Sequence, residues 1–270
     1  MGKKKWNQKK SRVYTLSPER GKSFEESSRK EPSGQCIHCL GFFENLTRDH
    51  VCPESWYPLE YPDNLLKPTV PSCPVCNHKF GNIENRLKNQ IGLCLDPGDP
   101  LGRHIWQSAM RSVNPYMGTT VRDVTHRFQK WESMRRKILS GDEIPEKSLY
   151  PGFGITPGIP KKYQGAIRIS SDDMIAFTEK VIRGVTFLQN GRLIELPFHI
   201  ESHAVDASKA APVEELLQIY GQECGPGPFF SVVRALCEDG TTSIFRMVIW
   251  GRLVRYGCVT ASRNGINLCA

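Results

Sequence analysis

Residues 36–79 carry three short stretches that fix what this chain can fold into: Cys36-Ile37-His38-Cys39, then Asp49-His50-Val51-Cys52-Pro53, then Cys73-Pro74-Val75-Cys76-Asn77-His78-Lys79. Each C-x-x-C pair lets two sulfurs bend toward one tetrahedral ion, and two such pairs in one short segment form a full four-thiolate ligand set. A structural zinc on Cys36, Cys39, Cys73 and Cys76 ties together the ends of a segment too poor in apolar residues to close a core alone. His38 and His78 lie beside the knuckles as alternative ligands, although the symmetric four-sulfur set is simpler.

The segment after Cys76, from Asn77 to about Asn89, is free of Pro and carries Ile83 and Leu87 four apart, so a helix is expected to open behind the second knuckle. Upstream, Pro and Gly interrupt the chain often enough that short strands and loops are expected. Between the knuckles a lone asparagine stands in Pro62-Asp63-Asn64-Leu65-Leu66.

Two C-x-x-C knuckles bracketing D-H-V-x-P, then an asparagine, then C-x-x-C-N-x-x-K, resemble the HNH endonucleases and their ββα-metal fold. The resemblance covers about residues 36–90 and does not extend to residues 150–270. It implies that Asp49 is a ligand of a catalytic divalent ion. His50, its strand neighbour and so facing the other way, would be the base that deprotonates water. Asn64 would orient the imidazole, Asn77 would be the second protein ligand of the ion, and Lys79 would reach a phosphate. The motif's final position is Asn rather than His, and with His78 adjacent the second ligand is either Asn77 or His78, the register favouring Asn77. A carboxylate with an amide oxygen is a hard, sparse donor set suited to magnesium or manganese, with zinc confined to the thiolates.

Outward from this module, residues 1–30 hold ten Lys or Arg against three acids, nearly all of the +8 carried by the 270-residue chain. Lys3, Lys4, Lys5, Lys9, Lys10 and Arg12 are the candidates for phosphate contacts in an arm expected to be flexible until it meets a polyanion. Double-stranded DNA is the expected partner. No run approaches the about 18 apolar residues of a membrane span, and no signal peptide follows the first lysines. A reducing, cytoplasmic setting is expected, in which cysteines hold metal or stay reduced.

Asp96-Pro97-Gly98-Asp99-Pro100 reads as a linker. Beyond it, Val121, Val124, Phe128, Trp131, Met134 and Ile138 recur at helical spacing and are expected to form a buried face, with Arg122, Arg127, Lys130, Arg135, Arg136 and Lys137 as a solvated one. A second Pro/Gly stretch, Tyr150 to Pro160, reads as a domain boundary. After it, Ser170 and Ser171 precede a stripe of Met174, Phe177, Val181, Ile182, Val185 and Leu188 that stops at Gly191, a capped amphipathic helix. A shorter helix is expected around Pro212–Tyr220, and Phe229–Cys237 with Thr242–Val259 reads as a β-hairpin turning at Asp239-Gly240. His199 and His203 have the spacing of a helical metal pair, but no helical pattern surrounds them and they are expected to bind nothing. Cys224, Cys237, Cys258 and Cys269 read as small buried hydrophobes.

The expected whole is an α+β protein with four parts: a basic arm (1–30), a zinc-tied HNH nuclease module (31–95), a helical connector (96–150) and a separate α+β domain with an antiparallel sheet (151–270). Dimerisation through that last domain is among the roles open to it. The function expected from the resemblance is metal-dependent hydrolysis of DNA, in restriction, phage or mobile-element biology. The competing expectation is a non-catalytic zinc module that binds nucleic acid or protein.

Overall fold

The computed structural model describes residues 33–59, 61, 67–144, 160–205, 207–227 and 229–261. The basic arm, Asn64 and the expected boundary near residue 150 lie outside the described residues. Among those described, the chain is mixed helix and sheet, and no helix is long and apolar enough to cross a membrane.

The N-terminal part is built from small pieces. Strands β1 (Gly34–Gln35) and β2 (Phe42–Phe43) pair antiparallel around the first knuckle, and β3 (Thr47–His50) pairs antiparallel with β4 (Thr69–Ser72), Asp49 opposite Val70 and His50 opposite Thr69. Helix α1 (Pro74–Gly92) follows at once. It opens three residues before the expected start because Pro74 occupies the first helical position, where its missing N–H costs nothing, and Cys73 caps it through Sγ. Phe80, Ile83, Leu87 and Ile91 form its buried stripe.

The stretch read as a linker ends in a helix start. Asp99 Oδ1 accepts from the Leu101 N–H at 3.0 Å and Pro100 takes the first position, launching α2 (Pro100–Val113), which no apolar pattern had announced. Helix α3 (Val121–Arg135) forms where expected, with Thr120 as its cap, but its apolar stripe is not buried. Val121 is 86% and Phe128 53% exposed, and Met134 is the stripe's buried member. Periodicity places these side chains on one face; it does not supply a partner for that face. Short strands β5 (Ile138–Ser140) and β6 (Gly165–Ile167) pair beyond it.

Helix α4 (Ser171–Asn190) matches its sequence signals closely. Ser170 accepts from the Asp173 N–H, Gly191 closes the helix in the left-handed conformation at φ 64°, and Met174, Phe177, Val181, Ile182 and Val185 are buried. It packs on α1 and β4 on one side and on the large sheet on the other. That sheet is antiparallel throughout, in the order β7 (His199–His203), β11 (Leu253–Thr260), β10 (Ser243–Ile249), β9 (Phe230–Leu236), β8 (Gln222–Glu223). Helix α5 (Ala207–Tyr220) covers its other face. The β9–β10 hairpin turns at Asp239-Gly240 as expected, Asp239 Oδ1 accepting from the N–H groups of Thr241 and Thr242. The second arm of the expected hairpin is two strands: Trp250 and Gly251, at φ 49° and 67°, make a tight turn between β10 and β11.

The α+β part is not separate from the cysteine-rich part. One core runs through both: Trp56, fully buried, stacks on Phe177 of α4 and on Trp250, each at 4.7 Å between ring centroids. Tyr57 packs against Phe229 at 4.8 Å, so Trp56 and Tyr57 close this shared core and present no face to a nucleic acid. The N-terminal part has too few apolar residues to bury one another and borrows the inner face of α4.

The helix also comes close. A Cβ at Gly184 would stand 2.7 Å from Val51 Cγ2. Gly184→Leu is therefore expected to lower the unfolding free energy by about 1–3 kcal/mol through overpacking, read as a lower urea midpoint at unchanged m.

Candidate metal centre and adjoining cavity

The first knuckle is a tight turn in which the Cys36 N–H donates to Gly41 O at 2.9 Å and Leu40 N–H to Cys36 O at 2.9 Å, with Leu40 held at φ 63°. The second runs from the end of β4 into the first turn of α1, where Cys76 N–H donates to Cys73 Sγ at 3.4 Å. Together they bring the four sulfurs of Cys36, Cys39, Cys73 and Cys76 within 4.8 Å of one another, an arrangement able to bind a structural metal such as zinc. The Cys39–Cys73 sulfur separation is 3.9 Å, close to the edge of a tetrahedron with about 2.3 Å bonds.

Electrostatics favour a cation there. Burial pushes the Cys36 thiol up, but backbone N–H groups of Cys39, Cys73 and His38 outweigh it and bring it down to about 7. Burial and the crowding of neighbouring sulfurs raise Cys76, a cost a metal ion relieves. Neither nearby histidine replaces a cysteine. His38 Nε2 is engaged by Asp49 Oδ2 at 2.9 Å, and exposed His78 lies on Asn82 at 3.1 Å.

Beside the cluster, β3 and β4 pair and lead into α1, and β3, the turn after it and α1 line a cavity of about 310 Å³. Asp49, His50, Asn77, Glu84, Asn85 and Arg48 are among its lining residues. Three sequence-predicted residues, Asp49, His50 and Asn77, thus reach one place; His78 does not line the cavity, and Lys79 is exposed on α1. Asn64, Lys3, Lys4, Lys5, Lys9, Lys10 and Arg12 lie outside the described residues.

Each residue's surroundings set what it can do. His50 is half-buried, and burial holds its pKa below the ordinary histidine range, against the opposing pull of Glu54 and Asp49. The ring is therefore neutral at pH 7 and able to accept a proton. Asn77 donates through Nδ2 to Thr47 Oγ1 at 2.8 Å, leaving its amide oxygen as the atom suited to a cation or an N–H donor. Asp49 is buried at 4% exposure and both its oxygens have partners: Oδ2 has His38, and Oδ1 has the ammonium of Lys180 at 2.8 Å.

Lys180 is the residue that sequence reasoning missed. It sits on the buried face of α4, its side chain 1% exposed, and also donates to His50 O at 2.8 Å and to Glu84. Three donors thus meet three oxygens, the full capacity of an ammonium. Glu84 is raised by burial, with Lys180 pulling the other way. The available signal was a lysine three residues after Phe177, inside an apolar stripe where a charge needs an acidic partner. Nothing in the sequence says that the partners are Asp49 and Glu84.

No protein-family profile matches the chain, and no curated protein or solved structure is significantly similar to it.

Proposed function

We propose that the chain is a metal-dependent endonuclease of the HNH type that hydrolyses phosphodiester bonds of double-stranded DNA. What carries this reading is the meeting of Asp49, His50 and Asn77 around one cavity, next to the four-cysteine cluster and on two antiparallel strands followed by a helix. His50, kept neutral by burial, takes the proton of the attacking water. The carboxylate of Asp49 and the amide oxygen of Asn77 are hard donors that would hold magnesium or manganese, the ion taking the place of Lys180 or His38 on Asp49, and it would stabilise charge on the leaving oxygen. By the same resemblance Asn64 would orient the imidazole, and Lys79 with the basic residues of the N-terminal arm would hold the phosphate backbone, giving steep salt dependence.

A second reading is favoured by one observation. Lys180 places a fixed positive charge on Asp49, where the nuclease reading places a divalent ion. In that reading the module is non-catalytic, the ammonium stands in for the metal, and the chain binds nucleic acid or protein.

Incubating the protein with supercoiled plasmid in magnesium or manganese separates the two. For the nuclease, nicking or linearisation is expected, is abolished by EDTA, and falls about 10²–10⁴-fold in His50→Ala with zinc content unchanged. Plasmid left intact by a protein that retains its zinc would select the binding module.

A further inference from the structure

The strand β7 carries a second constellation that neither the cysteine cluster nor the cavity uses. With a period of two, His199, Glu201 and His203 share one face of this edge strand. The antiparallel register sets Cys258 of β11 directly opposite Glu201, on the same face. The three β7 side chains converge: Glu201 Oε1 lies 3.2 Å from His199 Nε2, and Glu201 Oε2 lies 3.6 Å from His203 Nε2 and 3.9 Å from Cys258 Sγ. The ligand atoms of Glu201, His203 and Cys258 all fall within 4.8 Å of one another.

We propose that Glu201, His203 and Cys258 form a second transition-metal site, selective for zinc, in which His199 orients the carboxylate. Three observations support it. Bonds of about 2.0–2.3 Å in a tetrahedral site imply ligand-to-ligand edges of about 3.3–3.8 Å, close to the 3.6 and 3.9 Å of the two edges at Glu201. A thiol, an imidazole and a carboxylate suit zinc and discriminate against magnesium or calcium, which take oxygen ligands. His203 Nε2 is buried without a hydrogen-bond partner, its distance to Glu201 being too long for one. An ion at the centre satisfies that nitrogen. The His199–Glu201 bond is the outer-shell contact that fixes a ligating carboxylate. Three protein ligands leave the fourth position to water. The site is part of the sheet, since Cys258 belongs to the apolar cluster under α5, while the β7 ligands are about three-quarters buried at its edge. A helix-based reading of the two histidines could not find it, because the strand, by adding Glu201 and the cross-strand cysteine, completes the set.

The proposal is independent of the nuclease reading and is tested by metal content of the full chain after gel filtration. Wild type is expected to hold two zinc ions per chain. His203→Ala and Cys258→Ser are each expected to hold one, with the cobalt-substituted spectrum of the four-thiolate site intact, which also shows that the variants are folded. Glu201→Gln, nearly isosteric and on the partly exposed edge, gives the same reading if either of those fails to fold. One zinc ion in wild type, or two retained in these variants, overturns the proposal.

Discussion

Cys73→Ser is expected to remove the structural metal and to lower the unfolding free energy by more than about 5 kcal/mol, a fall in Tm of about 10–20 °C at this chain length. Structural zinc in small folded units contributes apparent free energies of about 10–16 kcal/mol, although part of that returns when the unfolded thiols also bind metal. Cys73 has three roles at once. Its sulfur is one of the four, it caps α1 by accepting from Cys76 N–H, and it belongs with Cys36 and Leu46 to a small buried cluster at the base of the knuckles. Serine keeps an oxygen for the cap and loses the soft ligand, so the loss reports mainly on the metal. Thermal unfolding of wild type with a strong chelator should reproduce most of the shift. If chelation and substitution both left Tm unchanged, the cluster would not be a structural metal site.

Lys180→Met is expected to destabilise by about 3–5 kcal/mol, because it keeps the apolar stem and deletes the charge, leaving the carboxylates of Asp49 and Glu84 buried together without a cation. The loss depends on pH. Burial already raises Glu84, and removing the ammonium that opposes burial raises it further. A carboxyl whose folded pKa lies above its unfolded value binds more protons when folded, so its contribution to stability is present at low pH and lost as pH rises through that interval. The deficit of Lys180→Met relative to wild type should therefore be larger at pH 8 than at pH 5. Adding Glu84→Gln should recover part of it, and urea unfolding of the two variants at both pH values measures this. An equal deficit at both pH values would mean that Glu84 does not change its protonation between them when the ammonium is removed.

The same pair of residues bears on function. If the nuclease reading holds, Lys180 sets the charge beside the divalent ion, and plasmid cleavage measured with Lys180→Met reports whether that charge helps or hinders. If the binding reading holds, the substitution alters stability without creating cleavage.

Much of this architecture was legible locally. The two C-x-x-C pairs, the capped stripe of α4 and the turn at Asp239-Gly240 are each specified within a few residues, where spacing and side-chain chemistry act directly on the neighbouring backbone. Two helix starts lie upstream of any apolar pattern for one reason: Pro74 and Pro100 each take the first helical position, where proline is compatible with the helix, and the residue before it provides the cap. The apolar stripe of α3 was read correctly as a pattern and incorrectly as buried, since a pattern names a face but not what covers it.

The amino-acid sequence by itself determined the thiolate set, the helix and hairpin that end in sharp caps and turns, and the placing of Asp49, His50 and Asn77 around the knuckles. Tertiary structure alone decided that Trp56 belongs to a core shared with α4 and the sheet, that Lys180 is the counter-charge of Asp49, and that Glu201, His203 and Cys258 converge. The contacts Trp56–Phe177, Lys180–Asp49 and Glu201–Cys258 join residues more than fifty positions apart, and in each the deciding quantity is a through-space distance of a few ångströms. Local propensity and spacing carry no information about such distances; the packing of α4 and the register of β7 on β11 do.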